Sequence, residues 1–496
     1  MGIIEQLFNY GMAFIYRTVF LSVLSKSYLG LSGLFTNVLQ VFSLAELGIG
    51  AVIAFRMYAP VKEQDIYKCS QLLSFYKSIY RIISLIILAI GLLFFPFLDF
   101  IIKDPGEIPA DINIYLIYGM FVFQNVSSYF FIYYQSLLTA DQKGYVISTA
   151  NTVSTAMSYI LRIVLLLITK NYTLVLCIGI VFNVIYNFVL GQYIKHAYSE
   201  IVNLKTEKLS REEKKQIFID TGSLMCHKVG YTVVNSTDSI LISKFIGIGV
   251  VGLYSNYSMI ATAIDVFINK LFGSFVPTIG RYLLDNSEDE AYLAYRRMRF
   301  LNFWVASFCT VSLYVLIDPF VILWLGESFL LDRSTVIIIS ANIFLNSSRV
   351  INVSFVNASG LFVRDRIRPL IQAALNLIFS VIFVKLMGIG GIFLGTVLSM
   401  LLTVWWREGF IIYGGIFKRS VKEYFFSNAV WIIVTFCSGV VFSKLCSLFD
   451  TTLLGFILKM AVCTVGVNVL YFIAFYNTAA HKYFREKISY RIKRKR

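Results

Sequence analysis

Apolar runs long enough to cross a lipid bilayer recur along the whole chain. A helix needs about 20 residues to cross a hydrocarbon core of about 30 Å. With 58% hydrophobic and 15% charged residues, the 496-residue chain has too little polar surface to cover a soluble globule. We therefore predict an all-α polytopic membrane protein with about 14 transmembrane helices. The predicted spans are 7–27, 34–55, 78–98, 113–137, 146–168, 173–194, 221–243, 252–275, 300–322, 335–357, 370–387, 389–413, 427–447 and 453–477.

Lysine and arginine are unevenly distributed between alternate loops. If the N-terminus is cytoplasmic, the cytoplasmic loops and tail hold 31 of these residues and the outer loops hold 7. This bias predicts that both termini are cytoplasmic. It also explains the formal net charge of +16 without a nucleic-acid partner, because basic residues at the inner surface bind anionic membrane lipids. The basic tail, residues 478–496, is interpreted in the same way.

One short pattern occurs twice in the chain. Residues 30–37 and 249–256 both read G-x-x-G-L-aromatic-hydroxyl-Asn, and the same offset aligns Glu46 with Asp265. Two similar halves of a membrane transporter usually enclose the substrate path. We predict two pseudo-symmetric six-helix bundles and two additional transmembrane helices. The predicted segments are the bundle 1–200, a cytoplasmic linker 201–220, the bundle 221–415, the additional helices 416–477 and the tail 478–496.

Two capping boxes are predicted beside long cytoplasmic loops. Ser210 and Glu213 have the spacing at which each side chain caps the backbone N–H of the other, and Ser287 and Glu290 repeat it. The first box predicts a short cytoplasmic linker helix that leads into the seventh span.

The sequence argues against an enzyme and against a metal or cofactor site. The longest predicted outer loop, 99–112, is too short to form an outer catalytic domain. The sequence contains no Walker A phosphate loop and no H-E-x-x-H motif. Its three histidines and seven scattered cysteines have no metal-ligand spacing, so the cysteines are interpreted as packing residues.

Ionisable residues inside the predicted spans are the candidate functional residues. A charge at the centre of a membrane helix costs about 2.5–3.5 kcal/mol on insertion scales, and such residues usually mark substrate or ion pathways. Arg17 and Glu46 are predicted near the midplane on adjacent helices, where they are able to pair. The other candidates are Arg162, Asp238, Asp265, Lys270, Arg349, Arg407, Glu408 and Lys459.

Two interpretations of the cations are open. In the first, Arg17, Lys270 and Arg349 line a central cavity and bind an anionic headgroup, with Arg162 further along the path. Guanidinium groups suit phosphate oxygens because they offer two parallel N–H donors. In the second interpretation, each cation is neutralised by an acidic residue of a neighbouring helix and stabilises the packing of the bundle.

The acidic residues have a further predicted role. Glu46, Asp265 and Asp238 are candidates for ion pairs or for binding a coupling ion, H⁺ or Na⁺. His227, near the inner end of the seventh span, is interpreted as a hydrogen-bonded interface residue. Three charged residues near span ends are predicted to extend to the membrane surface: Arg407, Glu408 and Lys459.

Several motifs in this order resemble a known family. They are segment 45–50 after the first repeat, segment 238–243 before the second repeat and the glycine-rich segment 388–396. Over residues 7–415 the chain resembles Wzx-type flippases of the multidrug/oligosaccharidyl-lipid/polysaccharide exporter superfamily. The resemblance implies a V-shaped transporter that moves an undecaprenyl-pyrophosphate-linked oligosaccharide from the inner to the outer leaflet of the bacterial cytoplasmic membrane.

The resemblance also implies partners and a binding mode. Similar proteins bind pyrophosphate and sugars with basic residues of a central cavity, which Arg17 matches by its position in the first helix. Glycosyltransferases and a polymerase of the same pathway would make the substrate and use the product for capsule, O-antigen or teichoic-type polymer.

Other functions remain open at this point. A lipid II flippase and a cation-coupled multidrug exporter belong to the same superfamily, and a membrane glycan polymerase or ligase is an alternative of a different class. The surplus of basic residues inside the spans favours an anionic substrate. The short outer loops argue against the polymerase.

Overall fold

A computed structural model describes residues 2–46, 49–361, 365 and 367–495. The side chains of residues 2–4, 7, 45, 51, 105, 223, 224, 227 and 488–495 lie outside this description. The predicted interface role of His227 therefore falls outside the described side chains.

The chain divides into two compact units. The first comprises residues 1–255 with 369–373, and the second comprises residues 256–368 with 374–496. The predicted bundles, 1–200 and 221–415, are defined by the sequence repeat, whereas the compact units are defined by packing. The two divisions describe different properties, so the bundle boundaries stay a prediction. The helices up to the division are α1 Gly2–Val23, α2 Lys26–Phe42, α3 Ile49–Lys62, α4 Ile66–Leu93, α5 Leu98–Ile101, α6 Ile114–Ser128, α7 Gln135–Ala140, α8 Gly144–Thr169, α9 Tyr172–Ala197, α10 Ser199–Asn203 and α11 Arg211–Phe245.

The division falls within helix α12, Ile248–Gly273. The helices that follow are α13 Val276–Asp285, α14 Glu288–Leu325, α15 Arg333–Ser347, α16 Val350–Ala358, α17 Arg368–Met387, α18 Ile389–Met400, α19 Trp406–Gly409, α20 Lys422–Cys446, α21 Leu453–Val462, α22 Asn468–Ala474 and α23 Ala479–Lys495. Helices α18 and α19, and likewise α21 and α22, are joined by π-helical turns, 401–405 and 463–467.

The predicted fold class is confirmed: the chain is an all-α polytopic membrane protein. Ten of the described helical segments are long and apolar enough to cross a membrane. The four predicted spans outside this set correspond to α1, to α2 with α3, to α6 with α7, and to α11. Two of these four are therefore interrupted helices.

The second predicted span is not one continuous helix. Helix α2 ends at Phe42, a 3₁₀ turn covers Ser43–Glu46, and α3 begins at Ile49. The Ser43 hydroxyl donates to the Leu39 carbonyl, a back-bond that tends to bend helices. The fourth predicted span is interrupted in the same manner after Ser128.

Arg17 lies closer to one end of its helix than predicted. Helix α1 has 22 residues and ends at Val23, so Arg17 is about 9 Å from its C-terminal end and not at its middle. The predicted span continued to residue 27, whereas the chain turns at Ser25, which precedes α2.

Both capping boxes are confirmed. The Glu213 N–H donates to Ser210 Oγ at 3.1 Å, and the Ser210 N–H donates to the Glu213 carboxylate at 3.3 Å. Ser287 and Glu290 form the same reciprocal pair. The first box begins the 35-residue helix α11, so the predicted helix leading into the seventh span is continuous with the helix of that span. The predicted seventh span, 221–243, lies further along the same helix.

Glycines of the repeated pattern form a close helix crossing inside the first unit. A Cβ atom placed on Gly30 would lie 2.1 Å from the carbonyl oxygen of Ile248, and one on Gly252 would lie 2.1 Å from that of Lys26. The contact is reciprocal, because each glycine faces the carbonyl four residues before the other. Helix α2 and the first residues of α12 therefore touch backbone to backbone.

This crossing distinguishes two glycines of one motif. Gly30→Ala should destabilise the protein by about 1–3 kcal/mol, the usual range for overpacking, because the added methyl group meets backbone. Gly33→Ala is the matched control, since its Cβ would lie 3.6 Å from Val251 Cγ1, an ordinary contact. Thermal unfolding of both variants in the same detergent measures the difference. Equal midpoints would contradict the close crossing.

Candidate functional site

A polar cavity of about 180 Å³ lies inside the first unit, beside Arg162. Hydroxyl and amide side chains of α6, α8 and α9 form most of its wall, although each of these helices is mainly apolar. The cavity is smaller than the roughly 300–1,000 Å³ typical of pockets for drug-sized ligands, so it can hold only part of a large ligand. The polar residues that line it are Gln124, Asn151, Ser154, Thr155, Ser158, Tyr159, Arg162, Asn183 and Tyr186.

Gly179 on α9 has no side chain, and this leaves room for the Arg162 guanidinium. A Cβ atom placed on Gly179 would lie 1.3 Å from Arg162 Nη2, so any other residue would displace this group. The Nε atom of Arg162 is buried and has no hydrogen-bond partner among the described residues. A buried donor without a partner is unfavourable, and an anionic or hydroxyl oxygen in the cavity would satisfy it.

Two tyrosines connect Arg162 to the first helix. The rings of Tyr16 on α1 and Tyr159 on α8 lie 5.1 Å apart, and the guanidinium carbon of Arg162 is 5.9 Å and 6.0 Å from their centroids. These distances allow cation–π attraction, which helps to stabilise a charge away from water. The contacts described for Arg162 therefore hold it without an acidic partner.

Arg17, one residue after Tyr16, is held by the second copy of the repeat. Its Nη1 atom donates to the Ser255 carbonyl at 2.6 Å and contacts the Ser255 hydroxyl at 3.4 Å. Glu46 accepts a hydrogen bond from the Tyr80 hydroxyl at 2.6 Å. The contacts described for Arg17 and Glu46 thus do not include the ion pair that the sequence suggested.

Arg349 forms a buried ion pair in the second unit. Its Nε atom lies 3.0 Å from Glu408 Oε1, and the other Glu408 oxygen accepts from Asn352 at 3.2 Å. The Arg349 and Glu408 side chains are only 13% and 6% exposed. Glu408 was predicted to extend to the membrane surface, and that prediction is wrong. Arg349 follows the second interpretation of the cations, with Glu408 as its partner.

The remaining predicted residues are dispersed. Lys270, near the end of α12, is exposed, and Asp265 accepts from the buried Ser347 hydroxyl at 2.6 Å. Asp238 is buried in α11, and its Oδ1 atom has no hydrogen-bond partner among the described residues. Lys459 is buried as well, which contradicts its predicted surface position.

Sequence reasoning missed the polar residues around Arg162. They follow a readable spacing on α8, because Asn151, Thr155, Ser158 and Arg162 recur every three or four residues and so share one helix face. A polar stripe on an apolar membrane helix indicates a face turned towards polar surroundings. Three of these four residues are uncharged, so the position of charged residues alone does not indicate this face.

The comparison with protein families gives a match over most of the chain. Residues 2–283 match the model of a family described as polysaccharide biosynthesis protein. The comparison with curated proteins found no match.

Several solved membrane transporters share the fold. The lipid II flippase MurJ in an inward closed conformation matches with a TM-score of 0.67 at 14% identity, covering 96% of this chain and 98% of that one. An inward-facing multidrug resistance MATE family transporter of the MOP superfamily matches with a TM-score of 0.60 at 14% identity. The match covers 79% of this chain and 91% of that one. A MOP superfamily transporter from Pyrococcus furiosus matches with a TM-score of 0.51 at 15% identity. The match covers 80% of this chain and 91% of that one. At these identities, the likenesses show that the chain shares the overall fold of these transporters.

The Arg349–Glu408 pair should contribute strongly to stability. Glu408→Gln should lower the free energy of unfolding by about 3–5 kcal/mol, because it leaves a buried guanidinium without its counter-charge. The double variant Arg349→Met, Glu408→Gln should regain much of this loss. Chemical or thermal unfolding measures both.

The exposed pair of Arg281 and Asp285 supplies the control. Asp285→Asn should change the free energy of unfolding by at most about 1 kcal/mol, as is usual for surface ion pairs. A similar effect of Glu408→Gln and Asp285→Asn would contradict the buried pairing.

Proposed function

Because the chain belongs to the polysaccharide biosynthesis protein family, we propose that it flips a polyprenyl-pyrophosphate-linked oligosaccharide across the bacterial cytoplasmic membrane. The oligosaccharide would pass from the cytoplasmic to the outer leaflet while the polyprenyl tail stays in the lipid. The transported unit would then serve surface polysaccharide assembly, such as capsule, O-antigen or teichoic-type polymer.

The polar cavity at Arg162 is the observation that carries this proposal. Its wall combines one guanidinium with hydroxyl, amide and aromatic side chains, which suit sugar hydroxyls and phosphate oxygens. A drug exporter for cationic compounds would favour an acidic or apolar pocket instead. The cavity size suits one sugar or the pyrophosphate, and not the complete lipid-linked molecule.

The predicted cations receive different roles in this proposal. Arg162 and Arg17 would contact the pyrophosphate, since both border the Tyr16–Tyr159 pair on adjacent helices. Lys270, being exposed, would attract the anionic substrate towards the protein. Arg349 is assigned to the stability of the second unit, because Glu408 already neutralises it.

Transport by alternating access also needs an energy source. Asp238 is the best of the three acidic candidates for a coupling ion, because it is buried and its Oδ1 atom has no hydrogen-bond partner in the described part of the chain. A carboxylate removed from water is best stabilised by a bound cation or proton. Glu46 and Asp265 instead accept hydrogen bonds from Tyr80 and Ser347.

The transport assay uses purified full-length protein in liposomes loaded with a fluorescent undecaprenyl-pyrophosphate-linked oligosaccharide. Arg162→Ala should reduce exposure of the glycan on the opposite leaflet at least tenfold, because the variant loses the cation that binds the anionic headgroup. Arg162→Lys should recover part of the rate, since the charge remains but the planar fork is lost. Lys195→Ala, an exposed lysine on α9, is the control and should transport normally.

A second variant moves the guanidinium without removing it. Gly179→Ala should reduce transport as Arg162→Ala does, whereas Gly11→Ala, with no atom within 4 Å of its added Cβ, should not. Normal transport in Arg162→Ala and Gly179→Ala would remove the cavity from the mechanism. Transport of lipid II in preference to the oligosaccharide would favour the lipid II flippase instead.

The coupling role of Asp238 is tested in the same liposomes. Asp238→Asn should abolish the acceleration of transport by an imposed H⁺ or Na⁺ gradient while leaving slow, gradient-independent exchange. Comparing the two gradients identifies the ion. An unchanged response to both gradients would exclude Asp238 as the coupling site.

A further inference from the structure

A second cavity, of about 360 Å³, lies inside the second unit and has a different character. Helices α14 and α20 and the segment that joins α22 to α23 form its walls. Three arginines of α14 line it, Arg296, Arg297 and Arg299, together with one acidic residue, Glu423. The charged side chains of the wall therefore leave a surplus of two positive charges.

Arg299 forms the floor of this cavity, and its side chain is buried, with only 3% of the residue exposed. The acceptors described for its guanidinium are all neutral: the Ser427 hydroxyl at 2.9 Å, the Asn428 amide oxygen at 2.5 Å, the Tyr413 hydroxyl at 3.2 Å and the Tyr424 carbonyl at 3.4 Å. None of these removes its net charge. A buried cation without a counter-charge is unfavourable unless an anion approaches it.

Aromatic rings hold Arg299 in position. The Tyr424 and Trp431 rings lie 4.5 Å from its guanidinium carbon, a distance typical of cation–π contacts. At the rim, Arg296 pairs with Glu423 at 3.0 Å, while Arg297 lies 3.6 Å from the Tyr483 ring of α23. The rim thus adds one more cation that is not paired with a carboxylate in the described contacts.

Apolar side chains form much of the remaining cavity wall. Phe300, Val430 and Phe475 line it, and Phe426 beside them is 73% exposed, as expected of a side chain that faces lipid. A water-soluble phosphate would make no use of this apolar surface. An amphiphilic anion would use both the arginines and the apolar wall.

The predicted membrane span of α14 places the cavity at the depth of lipid headgroups. Arg299 is about 17 Å from the start of α14, whose 38 residues extend over about 57 Å, well beyond a hydrocarbon core of about 30 Å. The predicted span within this helix begins at residue 300. By this predicted boundary, Arg299 is placed where α14 enters the hydrocarbon layer.

We propose that this cavity binds the phosphodiester headgroup of an anionic phospholipid. Arg299 and Arg297 contact the phosphate oxygens, and the acyl chains lie along Phe300, Phe426 and Phe475. The bound lipid supplies the negative charge that the wall lacks. It also joins α14 and α20 to α23, since residues of all three border the cavity. This site is separate from Arg162 and does not depend on the proposed transport function.

Lipid binding is measured by native mass spectrometry of the purified full-length protein in detergent. Palmitoyl-oleoyl phosphatidylglycerol should bind at least fivefold more tightly than palmitoyl-oleoyl phosphatidylcholine. Arg297→Gln should remove most of this preference. Ala479→Phe should do the same by filling the cavity while keeping every charge, because Ala479 is an exposed residue of its wall.

Two controls separate this site from general effects. Lys482→Gln, which removes an exposed charge of α23, and Arg162→Ala should both bind phosphatidylglycerol like the unmodified protein. Equal affinity for the two lipids, or full phosphatidylglycerol binding in Arg297→Gln and Ala479→Phe, would overturn the proposal. Equally tight binding of soluble glycerol 3-phosphate would also overturn it, because the site would then recognise free phosphate and not a lipid.

Discussion

The cost of placing a charge in a medium without water governs this protein. A lone ion buried in a low-dielectric interior loses several kcal/mol of solvation, so each one needs a local solution. Most charged residues avoid the problem by lying outside the predicted membrane spans. The few charges inside these spans or at their edges therefore show where side chains serve something other than apolar packing.

Three arginines illustrate three different solutions. Arg349 has a carboxylate partner, Glu408, and the pair is closed to further ligands. Arg299 has neutral acceptors and two aromatic rings, which fix its position but leave its charge. Arg162 borders a cavity of hydroxyl and amide groups, and its Nε atom has no hydrogen-bond partner among the residues that the structure describes. Only the last two arrangements leave the cation able to bind an anionic ligand. The cavity wall beside Arg162 is polar, whereas the wall beside Arg299 is largely apolar.

The sequence predicted the parts of the structure that depend on local pattern. The apolar runs predicted the fold class, and the spacing of Ser210 with Glu213 predicted a capped helix start, because both properties depend on neighbours along the chain. The partner of Arg349 was not predictable in this way, since Glu408 is 59 residues distant and approaches only through tertiary packing. Arg299 directly precedes the predicted span 300–322, so the sequence places it in a cytoplasmic loop. Its burial depends on α20, which follows more than a hundred residues later.

The crossing at Gly30 has a consequence for how the two sequence repeats diverge. By sequence, Gly30 corresponds to Gly249 and Gly33 corresponds to Gly252, yet the close contact joins Gly30 to Gly252. The first copy contributes its leading glycine and the second copy its trailing one. A methyl group at Gly30 or Gly252 would meet backbone, whereas one at Gly33 or Gly249 would make ordinary contacts of 3.6 Å. Among descendants of this gene, the two copies should therefore diverge at different positions. The first copy should retain Gly30, and the second copy should retain Gly252.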